Sequence, residues 1–114
     1  MKYSLIIVTD NSEAYIQDLL WTLKEQITDE FQVIIVDNLS EDETVPIIVG
    51  VMNYDFCEED QYKFYIASKK TDKKGLIKIG LKASEYEPII VNVKGRLRKH
   101  YLEERIRGNK KWYN

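Results

Sequence analysis

Two apolar runs on either side of an amphipathic segment restrict the possible folds of this chain more than any other feature. The runs are YSLIIV, at residues 3–8, and FQVIIV, at residues 31–36. Their continuous apolar character is typical of strands that are buried on both faces, as in a parallel sheet. Between them, five apolar residues recur at helical spacing: Ile16, Leu19, Leu20, Leu23 and Ile27. A strand, a helix and a strand in this order predict a βαβ unit with a right-handed crossover.

The polar residues after the first run favour a helix start. Asp10, Asn11 and Ser12 are all residue types that cap helix N-termini well. We therefore expect these residues to cap the first helix, which should end near Ile27.

The second helix has three possible descriptions. Ser40 and Glu43 have the spacing of a capping box, which predicts a helix from Ser40. Pro46 would clash with the carbonyl of Asp42 inside such a helix, so the helix could instead begin or bend at Pro46. The stretch VPIIVGV could also form a strand.

Strands and helices continue to alternate after this point. YKFYIA, at residues 62–67, predicts a third strand, and residues 89–93 predict a fourth. Between them, a helix is expected after Gly75, and its Gly80 is small enough to allow close approach to the sheet. This alternation predicts an α/β fold with a three-layer, open, mostly parallel sheet.

A basic amphipathic helix is predicted at about residues 96–107, with Gly108 as its stop. Its apolar side would consist of Leu97, Tyr101, Leu102 and Ile106. Because 114 residues suit one hydrophobic core, we expect a single domain over residues 1–114.

Several functional classes are excluded by residue content. The lone Cys57 cannot form an intrachain disulfide, and no Cys/His cluster has the spacing of a zinc site, so Cys57 is expected to be an inert thiol. The longest early apolar run, residues 5–8, is too short for a signal peptide or a membrane span. These features predict a cytoplasmic protein.

Charge is distributed unevenly along the chain. Residues 1–62 carry 14 acidic and 2 basic residues, whereas residues 63–114 carry 5 acidic and 15 basic residues. This asymmetry favours pairing between unlike halves and gives the second half a field suited to phosphate. The asymmetry is equally compatible with a fold in which the two halves of the sequence simply lie on different faces.

The ends of the predicted strands carry a family resemblance. Ligands of open α/β sheets bind in the crevice at the carboxyl ends of the strands. Predicted strand ends lie within three segments of this chain: SLIIVTDNSEAYIQDLLWTLKEQ, FQVIIVDNLSEDET and GLKASEYEPIIVNVKG. In the order and spacing of these segments, the chain resembles the N-terminal half of a family 2 glycosyltransferase. The resemblance covers about residues 3–95 and implies the Rossmann-like half of a nucleotide-diphospho-sugar transferase (GT-A) fold.

The resemblance assigns a nucleotide site to two strand ends. Val8, Thr9 and Asp10 would lie near the base and ribose, and Asp37 and Asn38 would take the place of the acidic pair that grips them. The family usually has a second acid where this chain has Asn38 and an aromatic residue where it has Asp10. Because an amide both donates and accepts hydrogen bonds, base recognition would be altered rather than lost.

The fourth strand end departs further from the family. The family's aspartate-any-aspartate motif binds a divalent cation that bridges the diphosphate, but this chain has Asn92, Val93 and Lys94 there. A lysine cannot ligate Mg²⁺ or Mn²⁺, so no divalent metal is expected. Lys94, with Arg96 and Arg98, could replace the positive charge of the metal and hold the diphosphate directly. Alternatively, these basic residues form a solvated helix face.

The sequence predicts a nucleotide-sugar-binding domain that is catalytically incomplete alone. After Asn92, only His100, Glu103 and Glu104 could serve as the base of an inverting transfer, and their spacing instead suits pairing along a helix. A UDP-type nucleotide is the expected ligand, and another polypeptide or a second copy would supply the acceptor half.

A second hypothesis is a non-enzymatic interaction module. It would associate through the basic C-terminal half, with Trp112 and Tyr113 as anchors. Binding of nucleic acid or of an anionic membrane by the same segment is a third hypothesis, ranked last because the acidic first half would repel a polyanion.

Overall fold

A computed structural model describes residues 1–55 and 61–112 of the chain. The expectations for Cys57, Tyr113 and the Trp112 side chain lie outside what it describes. The eight elements of the described residues alternate, in chain order β1 (Tyr3–Thr9), α1 (Ile16–Gln26), β2 (Phe31–Asp37), α2 (Thr44–Asp55), β3 (Tyr62–Ile66), α3 (Lys73–Ala83), β4 (Glu87–Ile90) and α4 (Tyr101–Trp112).

The four strands form one parallel sheet in the order β3-β2-β1-β4. β1 lies between β2 and β4, and its register with β2 runs from the Tyr3–Phe31 pair to the Thr9–Asp37 pair. Every residue of β2 is buried, as its continuous apolar run predicts. The predicted parallel α/β fold is therefore confirmed.

The two faces of the sheet are covered by different helices. Alternate strand residues such as Leu5 and Ile35 pack with buried side chains of α1, α2 and α4 in the larger core cluster. On the other face, Ile34 and Val36 pack with Leu76 of α3. This arrangement gives the three layers that the alternation of elements predicts.

Gly80 brings α3 close to the sheet. A Cβ atom at this position would lie 2.6 Å from Cγ2 of Ile6, a side chain with no solvent exposure. Gly80→Ala should therefore lower the free energy of unfolding by about 1–2 kcal/mol, because overpacking outweighs the better helix propensity of alanine. Gly50→Ala in α2 is the matched control, since nothing lies within 4 Å of its Cβ position.

Urea denaturation of the two glycine variants measures this difference directly. Gly50→Ala should raise the free energy of unfolding by about 0.5–1 kcal/mol, through helix propensity alone. A Gly80→Ala protein as stable as the Gly50→Ala protein would show that α3 does not need this close approach.

The predicted start of the first helix is wrong. α1 begins at Ile16, and its N-cap residue, Tyr15, makes no side-chain capping hydrogen bond. Asn11 instead contacts Ser40 in the loop between β2 and α2, and the Ser12 N–H donates to Oγ1 of Thr44, the first residue of α2, at 2.7 Å. Tertiary hydrogen bonds have therefore replaced the local capping that these residue types predict.

The second helix begins at neither Ser40 nor Pro46, and a bend at Pro46 stays a prediction. α2 begins at Thr44, so the capping box from Ser40 and the strand alternative are both wrong. The Ser40 hydroxyl donates to Asp37 rather than capping a helix. Pro46 lies in the first turn of α2, where a backbone N–H has no intrahelical partner, so proline is tolerated.

The last elements also differ from prediction. β4 covers Glu87–Ile90 rather than residues 89–93, and α4 covers Tyr101–Trp112 rather than residues 96–107, so Gly108 does not stop it. The segment before α4 is held by α1: the Leu97 N–H donates to Thr22 Oγ1 at 2.9 Å. Gln26 Nε2 also donates to the Arg98 carbonyl at 2.6 Å, so backbone groups of residues 97 and 98 bond to α1 and not within a helix. None of the helices in the described ranges is long and apolar enough to cross a membrane.

Candidate functional site

A cavity of about 360 Å³ opens at the carboxyl edge of the sheet, beside the ends of β1, β2 and β4. Six residues that the sequence singles out line it: Val8, Thr9, Asp10, Asn38, Asn92 and Lys94. The structure thus brings three separate strand ends to one crevice. The start of α3 completes the lining with Asp72 and Lys73, which sequence reasoning missed.

Asp37 supports this crevice without lining it. Its carboxylate has no solvent exposure and accepts hydrogen bonds from Thr9 Oγ1 at 2.7 Å, from the Ser40 hydroxyl at 2.6 Å and from the Ser40 N–H at 2.8 Å. Both carboxylate oxygens are therefore occupied by the protein. The contact with a nucleotide that the resemblance assigns to Asp37 stays a prediction.

Asn38 fixes the loop that precedes α3. Its amide Nδ2 donates to the Thr71 carbonyl at 2.8 Å, and its Oδ1 accepts from the Thr71 N–H at 3.0 Å. The Asn38 side chain therefore forms with the Thr71 backbone the two hydrogen bonds that a neighbouring β-strand would form. Nδ2 also donates to Asp10 Oδ2 at 3.0 Å, so two departures from the family pattern contact each other.

The loops after β1 and β2 hold each other in place. The Asn11 N–H donates to Ser40 Oγ at 2.9 Å, and the Glu41 N–H donates to Asn11 Oδ1 at 2.9 Å. Asn11 and Leu39 have φ of 48° and 52°, a left-handed conformation that is costly for leucine and persists only where neighbours enforce it. The rim of the crevice is thus a fixed structure built by both loops.

Asp42 adds a further contact between these loops. Partial desolvation raises the pKa of its carboxyl, but hydrogen bonds from the hydroxyl and N–H of Thr44 and from the Glu13 N–H outweigh that effect and hold the pKa below its usual value. The carboxylate is therefore ionised at neutral pH. It lies outside the cavity and has a structural role.

Lysine residues dominate the side of the cavity next to β4. Lys73 Nζ donates to Asn92 Oδ1 at 2.7 Å, and Lys94 also lines the cavity. Arg96 is not brought there, because it lines a separate cavity of about 390 Å³ with Thr22 and Gln26. Lys73 was missed because its partner lies 19 residues away and only the strand order brings the two together.

The residues at the fourth strand end do not fit a divalent cation. Asn92 Oδ1 already accepts from Lys73, and the ammonium group of Lys94 would repel a metal ion. Within residues 1–55 and 61–112, no group of three or more His, Cys, Asp or Glu side chains could hold a metal.

Three arginines in or next to α4 contact groups of their own chain. Arg98 contacts Glu104 at 2.7 Å, and Arg107 contacts Glu103 at 3.4 Å. Arg105 donates to the Ile90 carbonyl at 2.7 Å. His100 lies at the surface, and its Nδ1 is 3.3 Å from a carboxylate oxygen of Glu103, which agrees with the predicted pairing of these two residues.

A known protein, represented by one sequence and two crystal structures, matches this chain. Poly(ribitol-phosphate) beta-N-acetylglucosaminyltransferase TarS of Staphylococcus aureus is 46% identical over 55 residues, which are 46% of this chain and 10% of that protein. A crystal structure of TarS matches 99% of this chain and 20% of its own, with a TM-score of 0.77 and 27% identity. TarS 1–349 in complex with UDP-GlcNAc matches 97% of this chain and 32% of its own, with a TM-score of 0.75 and 28% identity.

This chain therefore spans at most 33% of the length of the TarS chains that it matches. The family model described as glycosyl transferase family 2 matches residues 4–93, which include β1 from its second residue, all of β2, β3 and β4, and five of the six predicted residues that line the cavity. The chain belongs to glycosyl transferase family 2.

Proposed function

We propose that this chain is the nucleotide-sugar-binding half of a family 2 glycosyltransferase, and that its cavity binds a UDP-type nucleotide or nucleotide sugar. The observation that carries the proposal is the convergence of Thr9, Asp10 and Asn38 at one crevice, at the sheet edge where open α/β folds bind ligands. A structure of TarS with UDP-GlcNAc, matched over 97% of this chain, supports the choice of ligand.

We infer that the chain does not complete a sugar transfer alone. An inverting transfer needs a base that deprotonates the attacking hydroxyl. The two carboxylates that line the cavity have other roles: Asp72 accepts from the Gly75 N–H at the start of α3, and Asp10 accepts from Asn38 through Oδ2 and offers its other oxygen to the nucleotide. A base and an acceptor pocket supplied by another polypeptide or a second copy would complete the reaction.

The alternative of a pure interaction module has less support. Its surface would be the basic C-terminal half, but Arg98, Arg105 and Arg107 bond to groups of their own chain. Charge-driven assembly through this surface should dissociate as salt is raised. Sedimentation at low and high salt therefore distinguishes the two proposals, because ligand binding alone predicts one particle size in both.

Calorimetric titration with UDP and UDP-GlcNAc tests the proposed function. Asp10→Ala should weaken binding about tenfold to a hundredfold, because a hydrogen bond to a charged group contributes about 1.5–3 kcal/mol. Asp18→Ala is the matched control, since Asp18 is an exposed carboxylate of α1 that does not line the cavity. The absence of heat at millimolar concentrations of both ligands would refute the proposal.

A further inference from the structure

The side of the cavity next to β4 carries positive charge without a carboxylate partner. The Lys73 ammonium donates to the neutral Asn92 side chain. Lys94 makes no hydrogen bond or ion pair with any residue that the structure describes. Both lysines are exposed and both line the cavity. Two ammonium groups are therefore available to an anion that enters the crevice.

The carboxylates of the cavity do not neutralise these lysines. Asp10 accepts from Asn38 and lies 3.8 Å from Lys70, and Asp72 is committed to the Gly75 N–H at 2.8 Å. Because β1 separates β2 from β4 in the sheet, the Asp10–Asn38 pair lies on the β2 side and the lysines lie on the β4 side.

This polarity suits a nucleotide with its diphosphate next to β4. A carboxylate accepts hydrogen bonds from a base N–H or from ribose hydroxyls, whereas ammonium groups donate to phosphate oxygens. The lysines lie where the family resemblance implies a divalent metal ion. The side chains of Asn92 and Lys94 do not offer the oxygen ligands that such an ion needs. The two ammonium groups thus supply, at this position, the positive charge that a metal ion would supply in the family.

We infer that the ammonium groups of Lys73 and Lys94 hold the diphosphate of the nucleotide directly, without a divalent cation, and that Asn92 is a positioning residue for Lys73. The inference rests on the proposed nucleotide site and adds the mode of phosphate recognition. Asn92 restricts the Lys73 side chain at 2.7 Å, which lowers the entropy lost when the ammonium meets a phosphate oxygen.

Calorimetry with uridine and UDP in the presence of EDTA isolates the contribution of the diphosphate. UDP should bind at least about tenfold more tightly than uridine, because charge-assisted hydrogen bonds to phosphate are the strong ones. Lys73→Gln and Lys94→Gln should each reduce UDP affinity about tenfold and leave uridine affinity unchanged. Lys74→Gln is the matched control, because it removes the same charge from α3 at an exposed position outside the cavity.

Two further results decide the mode of recognition. Asn92→Ala should weaken UDP binding less than either lysine variant, since it removes a positioning contact only. Mn²⁺ should not strengthen UDP binding, because it reduces the negative charge of UDP before the lysines meet it. Equal affinities for uridine and UDP, or a requirement for Mn²⁺, would overturn the inference and leave nucleotide binding intact. Failure of both ligands to bind would instead overturn the proposed function and this inference with it.

Discussion

Asp37→Ala should lower the free energy of unfolding by about 3–5 kcal/mol, the largest effect that we expect from one substitution at this site. The Asp37 carboxylate is fully buried and accepts three hydrogen bonds, from the Thr9 hydroxyl and from the hydroxyl and N–H of Ser40. Alanine would leave these donors inside the rim without acceptors. The loss is a large part of the roughly 5–15 kcal/mol that stabilises a typical domain.

Urea denaturation followed by circular dichroism measures this loss. Asp29→Ala, at an exposed turn before β2, is the control for removal of a carboxylate and should change stability by less than about 0.5 kcal/mol. Asp37→Asn should be intermediate, because its amide keeps one acceptor but presents a donor to the Ser40 N–H. A folded Asp37→Ala protein with unchanged stability and weaker UDP binding would show that Asp37 acts on the ligand instead of supporting the rim.

Asn38→Asp should lower the free energy of unfolding by about 2–3 kcal/mol, although it restores the acid that the family usually has there. The substitution removes the donor that bonds the Thr71 carbonyl and Asp10, and it places a carboxylate against both acceptors. The loop before α3 would lose its tie to the sheet edge. We therefore expect the restored acid to weaken UDP binding rather than improve it.

A double-mutant cycle with Asp10→Asn tests the reason for this effect. An amide at position 10 could donate to the new carboxylate, so the double variant should recover part of the lost stability. The Thr71 carbonyl would still lack its donor, so recovery should be incomplete. Asn53→Asp, at an exposed position of α2, is the control for the same chemical change. Strictly additive effects of the two substitutions would show that positions 10 and 38 are not coupled.

The sheet was predictable because its physical causes are local. Continuous apolar runs are compatible with parallel strands covered on both faces, and β2 is buried along its whole length. Gly80 was recognisable as a point of close approach because only glycine leaves room for the Ile6 side chain. The helix boundaries depend on distant partners instead. Thr22 and Gln26 bind backbone N–H groups of Leu97 and Leu102, more than 70 residues away, and no local pattern encodes those bonds.

The position of the candidate site was predictable, but the roles of its residues were not. Strand ends of a parallel sheet meet at one edge, so Thr9, Asn38 and Asn92 were expected to lie together. Asp37 and Asn38 differ in role because their side chains leave the end of β2 in different directions, and only Asn38 lines the cavity. The Lys73–Asn92 contact depends on the packing of α3 against β1 and β2, which sequence spacing does not reveal.

The most direct test of a nucleotide site at this sheet edge is chemical-shift mapping of the isotope-labelled chain during titration with UDP-GlcNAc. We predict that the backbone amides of Thr9, Asp10, Asn38 and Lys73 shift first and saturate together, because all four residues line the cavity. Amides beside the separate crevice at Gln26 and His100 should change little. Shifts concentrated at that second crevice, or none at millimolar ligand, would contradict a nucleotide site at the carboxyl edge.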